Sequence, residues 1–282
     1  MATVEGTDLS ADVAAETITP PLERPVRVNI PTRHNRKLAT LVAAVNADRG
    51  LHALWRCCNV NAVDRMGMSD HGPVHVQIVA NIALRLLRLL VSSGLTPNAV
   101  SDHGLDGHDA EMIAVLGALL HDIGMSIHRD DHERFSLMLA APKLRELLHG
   151  IYEEPYLTVV VSETLHAIIT HRSDGRPRTL EAGCVRVADA LDMAKGRSRI
   201  PFEAGQVNIH SVSAAAIDKV VISQGESKPI RIDVQMSNSA GIFQLDELLK
   251  EKLHGSGLER YVEVAAQIEG ETERSLVQVF RL

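Results

Sequence analysis

The sequence predicts a mainly α fold, a helical bundle followed by a small α+β unit. Three observations carry this expectation. Between residues 36 and 195 apolar side chains recur at three- and four-residue spacing, the signature of helices with one buried face. After Pro201 the pattern changes to short β-branched segments that read as strands. Hydrophobic residues make up 45% of the 282 positions, enough for a core that needs no covalent staples.

Taken in order, residues 1–25 lack the basic start and apolar block of a secretory signal and read as a mobile leader. Helices are predicted over 36–48, 51–63 and 74–91, the last entered through the Asp70-His71-Gly72-Pro73 turn with proline in the first turn. A loop rich in Gly, Pro, Asn and Asp fills 94–109, and a strongly apolar helix spans 110–121, stopped by Gly124. Further helices are expected at 131–141, 143–149, 158–170 and 180–195. Beyond them come strands at 219–223, 230–236, 261–268 and 275–281, with one helix over 245–253. Domain boundaries are expected at 26–200 for the helical body and 201–282 for the α+β domain.

Composition excludes several functions. A net charge of −7 argues against general nucleic-acid binding, and no basic tail is present. The most membrane-like stretch, 78–95, is interrupted by Asn81, Arg85, Arg88, Ser92 and Ser93, so no membrane association is expected. Three cysteines, two of them adjacent, form no disulfide framework and indicate a reducing, cytoplasmic setting. Cys57 and Cys58 read as buried small hydrophobes.

The chemistry concentrates in the histidines. Ten of the fourteen lie between His71 and His171, and the doublet His121-Asp122 ends the apolar run 112–120 where more hydrophobes would be expected. A helix buries an imidazole and a carboxylate only with partners. Separate helical segments offer His75, His121 with Asp122, His132, His171 and Asp189, a donor set able to converge on one metal centre.

This order of motifs resembles the HD superfamily of metal-dependent phosphohydrolases over about residues 69–199. His75-Val-Gln-Ile-Val-Ala is similar to the family's first-histidine helix, His121-Asp-Ile-Gly to its doublet, and Val187-Ala-Asp189 to its closing aspartate. Asp131-His132-Glu and Ile169-Thr-His171 are similar to the two extra histidines of dinuclear members. The resemblance implies an HD-type bundle in which His75, His121, Asp122 and Asp189 hold one metal while Asp122 bridges to a second held by His132 and His171. It implies two divalent ions, and the imidazole and carboxylate donors suit Mn, Fe, Co, Ni or Zn. It further implies hydrolysis of a phosphomonoester or phosphodiester, a nucleotide by preference, through metal-activated water, with Asp122 as the pivotal group. A dinuclear iron oxygenase on the same framework and a non-catalytic, metal-stabilised regulatory module are the alternatives.

The sequence departs from many members at Met125, where they carry a lysine, so no amine is expected there. His128 reads either as a general acid or phosphate contact, or as a solvated residue of a polar run. Arg197 and Arg199 are candidate substrate contacts, with an exposed basic linker as the plainer reading. His71, four residues before His75, is a candidate substrate contact or a helix-start residue. Asp192 is read either as an outer acceptor for a ligand histidine or as a surface carboxylate. His166 reads as a core histidine, and His103 and His108 as solvent-facing. The α+β segment resembles one that accompanies HD domains in a prokaryotic subgroup, and its strand edges make a homodimer a reasonable expectation.

Overall fold

The run Met112–Leu120 is apolar on every side, and such a helix is stable only when surrounded. In the computed structural model, which describes residues 25–172, 174–194, 209–268 and 280–281, it becomes the buried axis of the helical body. Helices α1 (Arg36–Ala47), α2 (Arg49–Asn59), α3 (Pro73–Ser92) and α4 (Asn98–His103) precede it. The axis itself is α5 (Gly107–Leu120); α6 (His132–Leu147), α7 (Tyr156–Ile169) and α8 (Leu180–Leu191) complete the bundle. Helices α1, α3, α4, α6, α7 and α8 all pack on α5.

Both ends of α5 are tied down by side chains. At the start, Asp106 accepts from the His108 and Asp109 N–H groups, while Asp109 accepts from the Asp106 N–H, a reciprocal capping box. Asp109 also accepts from Tyr152 and Lys37 at 2.5 Å each, locking α5 to α1 and to the chain before α7. At the far end the carbonyls lacking helical partners are satisfied from neighbouring elements. Trp55 Nε1 donates to Leu119 O (3.0 Å), Ser136 Oγ to His121 O (2.6 Å), Cys58 Sγ to Asp122 O (3.4 Å) and Asn61 Nδ2 to Met125 O (2.8 Å).

Helix α3 is long and apolar enough to cross a membrane, yet ten of its residues are buried within the bundle, as in the core helix of a globular fold. Its start is held by Asp70, whose Oδ1 accepts from the Gly72 and His75 N–H groups.

A helix α9 (Ile209–Ala215) leads into β1 (Ile217–Gln224) and β2 (Ile230–Met236). The chain then passes through a π-helical turn, Gln244–Leu249, into α10 (Lys250–Leu253), and on to β3 (Val262–Ile268) and β4 (Phe280–Arg281). The strands lie in the order β1-β2-β3-β4; β2 and β3 are parallel and the outer pairings antiparallel. Alternate residues of β2 and β3, such as Ile232 and Val264, are buried, and Arg85 of α3 donates to Ile222 O of β1.

Several expectations need correction. The segments 131–141 and 143–149 are one helix running through Pro142. The bond lost there is that to Met138 O, and Met138 is 69% exposed, so water can reach the freed carbonyl. The loop 94–109 contains α4, and the predicted helix 51–63 ends as α2 followed by a π-helical turn, Val60–Arg65. Helix α8 stops at Leu191, four residues short of expectation, with Asp192 at its end. Of the adjacent pair Cys57 is exposed and Cys58 buried; Cys184 is buried as well, and all three are free thiols. The expected boundary at 200/201 and most of the strand predicted at 275–281 lie outside the described residues.

Candidate metal centre

Histidine Nδ1 atoms fix the geometry of the centre. His121 at the end of α5 and His171 just past α7 each face a carbonyl of the last helical turn, three residues back. Each donates Nδ1–H to it: His121 to Ala118 O and His171 to Ile168 O, both at 2.7 Å. His75 in the first turn of α3 donates Nδ1–H to Asp192 Oδ2 at 2.6 Å. His132 at the start of α6 has its Nδ1 2.9 Å from Arg129 O, 3.4 Å from Glu133 Oε2 and 3.1 Å from Arg129 Nη1. The guanidinium would require an acceptor there, but the closer carbonyl and the carboxylate both require a donor, so Nδ1 carries the proton.

All four rings therefore present Nε2 as a bare lone pair. These lone pairs face one another: His75 Nε2 lies 3.2 Å from His121 Nε2, and His132 Nε2 lies 3.3 Å from His171 Nε2. Two acceptors at such a distance repel unless a cation lies between them or beside them. The rings are at most 3% exposed, which leaves no bulk water to relieve the repulsion.

The carboxylates join the pairs. Asp122 turns Oδ2 to His75 (3.4 Å) and His121 (3.3 Å), and Oδ1 to His132 (3.1 Å) and His171 (3.6 Å). Its backbone sits at φ −104°, ψ 3°, the sparsely populated region common at active sites. Asp189 in the last turn of α8 turns Oδ1 to His75 (3.4 Å) and His121 (3.8 Å). Donor atoms of His75, His121 and Asp122 lie within 4.8 Å of one another, as do those of Asp122, His132 and His171. This donor set fits a first-row divalent metal.

Electrostatics keep these groups in their ligating forms. Burial would raise the Asp122 carboxyl, but the surrounding imidazoles of His121, His132 and His75 outweigh it and hold it well below the usual value. For Asp189, burial is likewise outweighed by the charge of Lys252 and by His75 and His121. Burial pushes His171 well below the ordinary histidine value, with His121 and Lys252 adding to the effect. Ionised carboxylates and a neutral imidazole are what a metal binds.

The six side chains named as metal ligands thus converge. His71 stands beside them, its ring 5.6 Å from that of His75 and its Nδ1 donating to Ser69 O at 2.7 Å. His128 does not join the cluster among the described contacts; it is exposed, and its Nδ1 accepts from the Asp130 N–H. Arg197 and Arg199 lie outside the described residues. His166 is half-buried and accepts from the Arg178 N–H, and His103 pairs with Glu163.

Asp192 takes the outer-acceptor role, since it fixes the His75 ring. Asp192→Ala is expected to weaken metal binding by about 10–100-fold while the bundle stays folded, which competition against a chelator measures. An unchanged affinity would remove Asp192 from the centre.

Three residues were missed at the sequence level. Ser136, fully buried, links Gly124 N–H to His121 O. Lys252 is ion-paired with Asp189 Oδ2. Arg186 is 1% exposed and donates to backbone carbonyls of Lys252, Glu251 and His254. Only Arg186 left a trace, as a guanidinium inside the apolar run Val185–Val187.

Two comparisons bear on this geometry. Residues 73–194, which carry all six converging side chains, match the model of the HD domain family. An uncharacterized protein of Methanocaldococcus jannaschii is 44% identical over 224 residues, covering 79% of this chain and 86% of that protein. No solved structure matches the chain.

Proposed function

Because this chain belongs to the HD superfamily of metal-dependent phosphohydrolases, we propose that it hydrolyses a phosphomonoester or phosphodiester, with nucleotides the first substrates to test, using two divalent ions. The observation that carries the reading is the two facing pairs of Nε2 atoms, one pair on each side of Asp122.

When bound, divalent ions polarise a phosphoryl oxygen and acidify a coordinated water until hydroxide is available near neutral pH. His75, His121, Asp122 and Asp189 would hold one ion and Asp122, His132 and His171 the other. The residues themselves supply preorganisation. Carbonyls at Ala118, Ile168 and Arg129 and the Asp192 carboxylate lock each imidazole before any ligand arrives. Deep burial of the rings strengthens the attraction between these donors and a cation, because few water dipoles screen it. His71, whose ring lies 5.6 Å from that of His75, is the candidate to meet substrate on the first side. Free cysteines support a reducing, cytoplasmic setting.

The test is elemental analysis of the purified protein paired with a panel of mono-, di- and cyclic nucleotides and simple phosphate esters. Expected are close to two equivalents of Mn, Fe, Co, Ni or Zn and metal-dependent release of phosphate or an opened diester. Oxygen consumption by an iron-loaded protein without ester cleavage would instead identify an oxygenase. Full metal loading with no turnover of any kind would leave a regulatory module.

A further inference from the structure

We propose that Lys252, delivered by the C-terminal segment, is the cation that meets the anionic phosphoryl group at this centre, and that its presence lowers the affinity of the adjoining metal site. The identity of the anion rests on the phosphohydrolase reading above; the placement of the lysine does not.

Asp189 divides its two oxygens. Oδ1 faces His75 and His121, while Oδ2 is ion-paired with Lys252 Nζ. The ammonium therefore sits one carboxylate away from the first pair of lone pairs. Lys252 and Asp189 are 16% and 15% exposed in their side chains, against 0% for His75 and His121, so this pair marks the solvent side of the centre. An ammonium has three donors, and one suffices for Oδ2. Of the other described cations nearby, Arg172 pairs with Glu133 at 3.3 Å, and Arg129 stands against the His132 ring, at the second pair of lone pairs. The residue after Ile123-Gly124 supplies none, since Met125 is fully buried with Cys58 and Ala62.

The fold commits unusual resources to this placement. Arg186, one turn before Asp189 on α8, donates Nε–H to Lys252 O at 2.7 Å and Nη2–H to Glu251 O and His254 O at 3.2 and 3.1 Å. Its other terminal nitrogen donates to the carbonyls of Arg172 and Gly175, in the chain just after His171. Burying a guanidinium is costly, and this one fixes the backbone of the Lys252 turn and of the His171 loop against the same helix. A Cβ at Gly183 would lie 2.6 Å from Ser256 O, so α8 and the 254–258 turn meet backbone to backbone. Residues 251–256 lie beyond the matched stretch 73–194, so this cation is contributed from outside the family domain.

One substitution then has opposite effects on two ligands. Removing a positive charge beside a cation site favours the metal, and removing it beside an anion site disfavours phosphate. The experiment titrates full-length wild-type, Lys252→Met, Lys252→Arg and Lys250→Met proteins with Mn²⁺, and then titrates the Mn²⁺-loaded proteins with inorganic phosphate by calorimetry. In Lys252→Met the Mn²⁺ Kd should fall about threefold and the phosphate Kd rise about tenfold. Lys252→Arg should restore phosphate binding, and Lys250→Met, which loses only the exposed pair with Asp246, should match wild type. Lys252→Gln serves as a second variant should the methionine protein aggregate.

Any result in which the two constants fail to move in opposite directions overturns the proposal; a loss of both would mark Lys252 as merely structural. If wild type binds phosphate and cleaves esters while Lys252→Met does the same with unchanged constants, the lysine assignment fails and the phosphohydrolase reading stands. If Mn²⁺-loaded wild type neither binds phosphate nor cleaves any ester, that reading fails and the proposal with it.

Discussion

Asp122→Ala is expected to abolish metal loading and phosphate-ester hydrolysis together while the protein keeps its helical circular dichroism. Among the described residues, no other carboxylate is ion-paired with both lone-pair sets. Oδ2 lies 3.3–3.4 Å from His121 and His75, and Oδ1 lies 3.1 Å from His132 and 3.6 Å from His171. Without the Asp122 carboxylate His132 and His171 are left with no carboxylate, and His75 and His121 keep only Asp189, whose other oxygen is paired with Lys252, so both sets bind a divalent ion weakly. The bundle itself does not depend on this carboxylate, since α5 is held by apolar contacts along its length and by side chains that meet its last carbonyls. Elemental analysis and ester turnover give the readout, and Asp122→Asn, nearly isosteric, separates loss of charge from loss of volume. A variant that retains metal and turns over at the native rate would show that the centre lies elsewhere.

Gly124→Ala should be nearly as damaging by a different route. A Cβ there would lie 2.0 Å from His132 O and 2.5 Å from Ser136 N, both backbone atoms of α6. No rotamer can relieve that clash, so α6 must move outward and carry His132 with it. The Gly124 N–H to Ser136 Oγ bond (2.8 Å) and the Ser136 to His121 O bond break in the same displacement. The expected cost is about 3 kcal/mol of stability, read from urea unfolding, with loss of about one equivalent of bound metal. An unfolding midpoint equal to wild type would refute the close packing of α6 on this turn. Gly124 therefore has a different reason from the one its position suggests: it does not end α5 through a left-handed cap, but lets another helix approach.

These two residues show how far the sequence could be read. Asp122 was legible because an ionisable doublet at the end of a run as apolar as Met112–Leu120 has no cheap structural explanation. The role of Gly124 was not, since spacing along one chain segment says nothing about which backbone will lie against it. Pro142 misled for a similar reason: proline weakens a helix locally, but α6 is held by packing on both sides of it and loses only a bond near solvent. Asp192 stayed undecided between surface and centre until the 2.6 Å contact with His75, 117 residues away in sequence, was in view.

What the sequence determined alone is the donor chemistry: four imidazoles and two carboxylates in an order resembling one superfamily, on segments whose periodicity makes them helices. What only the tertiary structure decided is which nitrogen each imidazole offers, which oxygen of Asp122 serves which pair, and that a lysine 63 residues beyond Asp189 returns to it. The physical reason is range. Helical periodicity is set by neighbours three and four residues apart, whereas tautomers, carboxylate orientation and the path of the Lys252 turn are set by hydrogen bonds between segments that meet only once the core has closed.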